Sequence, residues 1–215
     1  MDDRNIMNVK FKRSKSNPTV DCPEADFELP FYKDVEYFSH LENFVNFVKA
    51  VERLVRSSNY YKRYIAYLKE EVGLTYCQVL SNVESEFADV EMHHGPLLTL
   101  FDCVEIVTDH MIATGQRITS FRVAKIIMDE HFKHNIQVIM LSKTVHEQVH
   151  ENAIFINLGQ AFGNLQVFLE KYKKGIRPEV VAQINSYIKS SMEHDSNDSG
   201  VLALSEYAHK WLQEN

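Results

Sequence analysis

Apolar residues between positions 38 and 55 return at steps of three and four: Phe38, Leu41, Phe44, Val45, Phe47, Val48, Val51, Leu54 and Val55. That spacing lines one face of an α-helix. Ser57, Ser58 and Asn59 interrupt the pattern, Tyr61, Tyr64, Ile65 and Leu68 resume it, and Gly73 offers a stop. Residues 31–73 therefore read as a helical hairpin. Their evenly spaced Phe and Tyr side chains read as core or partner contacts before base-stacking platforms.

The period changes after Gly73. Residues 74–80 and 88–94 fit two short strands joined by a polar loop, with His93 and His94 at the end of the second. Gly95 and Pro96 then punctuate the chain. Residues 97–113 return to a helical pattern that Gly115 ends, and Thr119 or Ser120 can cap a further helix running to about His134. Residues 137–141 are too short for periodicity to assign. Ser142 or Thr144 can start a helix carrying His146 and His150. Residues 157–192 are amphipathic, with Pro178 suited to a first helical turn. A polar loop at 195–200 precedes a short terminal helix at 201–213.

Residues 1–30 are polar and aperiodic, contain Pro18, Pro23 and Pro30, and read as a flexible arm. The expected organisation is thus an arm at 1–30, a helical hairpin at 31–73, a small strand-and-helix core at 74–156 with a helical insertion at 97–134, and a C-terminal helical region at 157–215. The fold class is α+β, mostly helical. With only 7 Gly and 5 Pro in 215 residues, long elements are favoured over a many-hairpin sheet.

A formal net charge of -7 argues against a broad basic surface for nucleic acid but leaves room for a local patch. Lys10, Lys12, Arg13 and Lys15 form one such cluster, read first as a solvated arm and second as a phosphate-contacting one. Cys22, Cys77 and Cys103 are odd in number and far apart, which suggests a reducing compartment rather than a disulfide scaffold or a four-cysteine zinc site. No apolar run approaches the ~18 residues that cross a membrane, and the acidic start lacks a signal-peptide core. A cytoplasmic protein without membrane partners is expected.

Four of the 10 histidines fall into two tight groups, His93-His94 and His146-x-x-x-His150. At a spacing of four on a helix, His146 and His150 share one face and their imidazoles can converge on one ion. On a strand, His93 and His94 point to opposite faces, so one can meet the helical pair while the other faces substrate, provided that the strand end lets both reach the cleft. Three imidazoles, His93, His146 and His150, suit a borderline divalent transition metal with a coordination position left open. The run from His146 to His150 also satisfies the bare HExxH pattern. A metalloprotease with Glu147 as base, and Glu151 or Glu170 as third ligand, therefore stays open. His110, His131, His134, His194 and His209 read as structural, and Asp102, Glu105 and Asp109 as the wet face of the inserted helix.

Together these residues resemble the HNH, or His-Me finger, endonuclease family, whose core is two strands followed by a helix around one metal ion. The likeness covers roughly residues 75–152. It is carried by the run Glu91-Met92-His93-His94-Gly95-Pro96, by Asn135, and by the apolar segment after Gln137 that leads into His146 and His150. It implies a metal-dependent endonuclease that hydrolyses nucleic-acid phosphodiester bonds, DNA before RNA. By the likeness, His93, His146 and His150 would hold one divalent ion of the Zn, Mg, Mn or Ni class. His94 would take a proton from the attacking water, and Asn135 would be the central catalytic residue. Lys143, Arg117 and Lys125 are candidate phosphate contacts, Lys143 foremost.

The chain departs from the family pattern in three places. Ser142 and Val145 stand where many relatives carry cysteines of a structural zinc, so that second metal is not expected. About fifty residues, read as two helices, separate His94 from His146. Asn135 lies further from His146 than is typical, and a helix C-cap is an equal reading of it. Glu91 either supports the site or, as the plainer reading has it, faces solvent. The alternative to an enzyme is a non-catalytic binding or structural protein that keeps the scaffold. The helical regions would then carry a protein partner or a second copy.

Overall fold

The helical period of the N-terminal segment is realised in three consecutive helices: α1 (Val35–Phe38), α2 (Leu41–Ser57) and α3 (Asn59–Glu70). Ser58 ends α2 and starts α3; its hydroxyl accepts from the Tyr61 backbone N–H at 3.1 Å and so supplies an N-cap at the expected break. The computed structural model describes residues 32–80, 88–151 and 153–194. The expected arm at 1–30, the basic cluster from Lys10 to Lys15, Cys22, the loop at 195–200 and the helix at 201–213 lie outside the described residues.

The remaining elements are β1 (Val90–His94), α4 (Leu100–Ala113), α5 (Ser120–Phe132), β2 (Val138–Ser142), α6 (Lys143–His150), α7 (Leu165–Lys171) and α8 (Pro178–His194). Thr99 opens α4 with a capping box closed by Asp102, and Thr119 caps α5. The protein is α+β and mostly helical, with a two-stranded antiparallel sheet among the described residues. Among the described residues no helix is long and apolar enough to cross a membrane.

The sheet departs from the expected pairing. Residues 74–80 form no regular strand; β1 pairs instead with β2, in the register Val90 to Ser142 and His94 to Val138. Residues 74–80 do run beside β2. The Gln78 backbone N–H donates to the Met140 carbonyl at 2.8 Å, but the Met140 N–H donates to the Gln78 side-chain Oε1 at 2.7 Å. A side chain thus stands in for a backbone acceptor, and the ladder stops after one rung. Phe162 takes the next place along the same edge, exchanging both backbone hydrogen bonds with Val138.

The sheet separates two apolar clusters. Alternate residues of a strand face opposite sides. Val90 and Met92 of β1 and Val138 and Met140 of β2 join the main core with the helices of both termini and of the insertion. Ile139 and Leu141 face the other way, into a small cluster with Cys77, Val145 of α6 and Ile156. The hairpin, the insertion and the C-terminal helices therefore share one core, and α6 covers the opposite face of the sheet.

A buried carboxylate ties the insertion to the C-terminal region. Glu130, near the end of α5, accepts from Asn135 Nδ2 at 2.7 Å, from Tyr172 Oη at 3.0 Å and from the Lys171 ammonium. Burial alone would raise its pKa, but the hydrogen bonds from Asn135, Lys171 and Tyr172, with the Lys171 charge, outweigh it and hold the carboxyl below its usual range. A carboxyl with a lowered folded-state pKa stabilises the fold above its unfolded pKa and loses that contribution as the pH falls. Glu130→Gln should therefore lower stability at pH 7 by about 1–3 kcal/mol. Denaturant unfolding at a series of pH values should show the wild-type and variant curves converging as the pH falls below 4; a constant gap would contradict this.

Candidate metal centre

The strand alternation that sorts the core also sorts the two adjacent histidines. His94 is still paired with Val138 inside the ladder, so its side chain must point opposite to that of His93. His93 and Glu91 lie on the face covered by α6, where His146 and His150 project from one side of that helix. The ring centroids of His93 are 4.9 Å from those of His146 and 5.1 Å from those of His150, and His146 and His150 are 4.7 Å apart. One nitrogen of each of the three rings lies within 4.8 Å of the others. His150 is exposed and the other two are half-buried, so the cluster opens to solvent.

Glu91 decides the chemistry of this group. Its Oε2 lies 2.8 Å from His146 Nδ1. A carboxylate only accepts, so His146 Nδ1 donates to it and Nε2 is the nitrogen left to face an ion. That Nε2 lies 3.1 Å from His150 Nε2. Burial, then the neighbouring His146 and His150, then Arg56, lower the His93 pKa to about 4, so this ring is neutral at pH 7. Three imidazoles with nitrogens close together, one of them oriented by a carboxylate, fit a divalent ion of the zinc type. Gly95 adds room: a Cβ there would sit 3.3 Å from His93 Nε2.

Glu91 is exposed, as the plainer expectation has it, and also accepts from His146 and so orients that ring. The signal was present, because Glu91 and His93 stand two apart on one strand and must share a face. Removing the carboxylate frees the His146 ring to rotate. Glu91→Ala should weaken zinc affinity by roughly 10- to 100-fold with the fold intact. Competition with a chromophoric chelator measures it, and an unchanged affinity would show that the carboxylate is only a surface neighbour.

The expectation for His94 is corrected. His94 is buried and its Nε2 lies 2.9 Å from His131 Nε2. His131 Nδ1 lies 2.7 Å from the Ile127 carbonyl, which can only accept, so His131 offers its Nε2 lone pair to the His94 Nε2 proton. His94 Nδ1 is buried without a partner among the described residues. Burial, with His131 and Arg56 adding to it, holds the His94 pKa well below the ordinary value. A base for water beside the cluster would have to face α6, and His94 faces α5.

Asn135 is corrected as well. It follows the left-handed His134 (φ 58) at the end of α5, its N–H donates to the Glu130 carbonyl at 2.9 Å, and its side chain holds the Glu130 carboxylate. It closes a helix rather than serving the cluster. Lys143 opens α6 as an exposed residue. Arg117 is exposed in the α4–α5 connection, where its carbonyl accepts from Arg122. Lys125 pairs with Asp129 on α5. The third group converging with the HExxH pair is His93 rather than Glu151 or Glu170.

Fold and cluster together define a mostly helical α+β protein with a candidate three-histidine metal centre beside a two-stranded sheet. The model of the bacteriophage G278-like virion protein family matches residues 2–210, and the chain belongs to that family. No curated protein and no solved structure matches it.

Proposed function

We propose that the chain is a virion-associated, metal-dependent phosphodiesterase acting on nucleic acid, DNA before RNA, with one divalent ion held by His93, His146 and His150. The observation that carries this reading is the convergence of one strand imidazole and two helix imidazoles on a solvent-facing point, with Glu91 fixing the His146 tautomer. A bound divalent ion makes water more acidic and offsets the charge on a phosphate. The chain's part is to hold three imidazole donors in place and to leave the outer side open to a polymer. The likeness to the HNH arrangement of two strands and a helix supports the substrate class. With His94 committed to His131, the reading no longer includes a histidine base. Cys77 and Cys103 are unpaired, which suits synthesis in a reducing cytoplasm.

A second reading is favoured by the burial of His94: the same ion stabilises a structural virion component that cuts nothing. Plasmid and single-strand cleavage by purified protein with Mg, Mn, Zn or Ni separates the two. Cleavage by the wild type and none by His146→Ala/His150→Ala supports the enzyme. Stoichiometric metal without cleavage of either substrate would leave the structural reading in its place.

A further inference from the structure

We infer that Gln137 is the orienting partner of His93, its carboxamide oxygen accepting the Nε2 proton of that ring when Nδ1 holds the ion; the inference rests on the three-histidine ion site proposed above, not on whether that site cuts. Alternation places the side chain. Ile136, Val138 and Met140 enter the main core, and Ile139 and Leu141 enter the small cluster on the other side of the sheet. Gln137 has the parity of the second set, so its side chain projects to the face that carries His93 and that α6 covers. It also stands at the matching end of the strand. The Gly95 N–H donates to the Gln137 carbonyl at 3.5 Å, one step beyond the pairing of His94 with Val138. Gly95 is in turn the residue against which the His93 ring leans. A Cβ on Gly95 would sit 3.3 Å from His93 Nε2 and 3.4 Å from its Cδ2, with no other atom of that ring within 4 Å. Nε2 is thus turned toward Gly95 and Gln137, and Nδ1 away from them.

Each of the two side chains lacks what the other can offer. Gln137 is 3% exposed, and its Oε1 is buried without a hydrogen-bond partner among the described residues. Leaving such an acceptor unpaired costs about 1–3 kcal/mol. His93 has no hydrogen-bond partner among the described residues either, whereas His146 has Glu91. A metal-bound imidazole almost always donates its second ring N–H to a carboxylate, a carbonyl or water. In a neutral ring without metal the proton can sit on either nitrogen. An ion on Nδ1 confines it to Nε2 and so creates the donor that the Gln137 oxygen lacks. The glycine at 95 leaves the room in which a small rotation of either side chain closes the bond.

Zinc is the probe ion for the test. The full chain, labelled with nitrogen-15, is loaded with zinc, and long-range proton–nitrogen spectra report which nitrogen of each histidine is coordinated. His93 should be bound through Nδ1, with a protonated Nε2 that exchanges slowly with water. Coordination of His93 through Nε2 would overturn the inference. Gln137→Leu removes the acceptor. It should bind zinc roughly 10- to 100-fold more weakly in competition with a chromophoric chelator. The metal-free variant should melt no lower than the metal-free wild type, because a buried unpaired oxygen has gone. Gln137→Glu keeps an acceptor at the same reach and should recover the affinity. Should Gln137→Leu fail to fold, the wild-type spectrum decides. Unchanged zinc affinity in Gln137→Leu would overturn the inference and leave the ion site standing. No zinc uptake by the wild type would overturn the site itself, and this inference with it.

Discussion

Replacing His146 and His150 together with alanine is expected to abolish stoichiometric metal binding while leaving the fold intact. Both rings come from one side of α6, and His93 alone cannot hold a divalent ion against water. Complete four-ligand zinc sites are worth about 10–16 kcal/mol, so removing two ligands should lower affinity by at least about a thousand-fold. The helix itself should survive. Its contact with the small core is made by Val145, whereas His150 is exposed and His146 only half-buried. Elemental analysis of both proteins after gel filtration in zinc gives the answer, with circular dichroism reporting the fold. Equal metal content in variant and wild type would mean that any bound ion sits elsewhere.

The second large effect concerns packing against α4 rather than the three-histidine cluster. The turn Lys173–Gly175 lies so close against α4 that a Cβ at Gly175 would sit 2.0 Å from the Ile106 carbonyl oxygen and 2.5 Å from the His110 backbone nitrogen. Both obstacles are backbone atoms of a helix, which cannot rotate aside as a side chain would. Gly175→Ala should therefore part the turn from α4 and cost about 3 kcal/mol or more. For a chain of this size that lowers the melting temperature by roughly 6–12 °C. Gly73→Ala is the natural comparison: its φ is +81 but its surroundings are open, so only the backbone strain of about 1–2 kcal/mol applies. A thermal melt of Gly175→Ala that overlays the wild type would contradict this account.

Much of the helical architecture could be read from the chain because its determinants are local. The Ser58 break, the Thr119 cap and the stop at Gly73 each depend on residues within one turn of the event. The sheet was less legible. Residues 74–80 have the composition of a strand, yet the partner of β1 lies beyond two helices, and sequence periodicity carries no information about which distant segment pairs. The grouping of His93 with His146 and His150 followed from helix spacing and strand position. The fate of His94 did not. It turned on whether the ladder continued to the last residue of β1; because it does, alternation drives that ring into the core toward His131. His131 carried no motif at all. Its relation to His94 comes from α5 packing beside the end of β1.

The long excursion between β1 and β2 has a consequence for how the molecule holds together. Two of the candidate ligands, His93 and His146, flank both inserted helices, so an ion gripped by them would act as a buckle across that whole loop. Only a chain whose two strands have already met could close it. By mass action, an ion that binds only the closed form at a hundred times its dissociation constant adds about 2.7 kcal/mol against opening. Stripping the ion with a chelator would then loosen α6 first, which the small cluster holds through Val145, while α4 and α5 stay gripped by the main core.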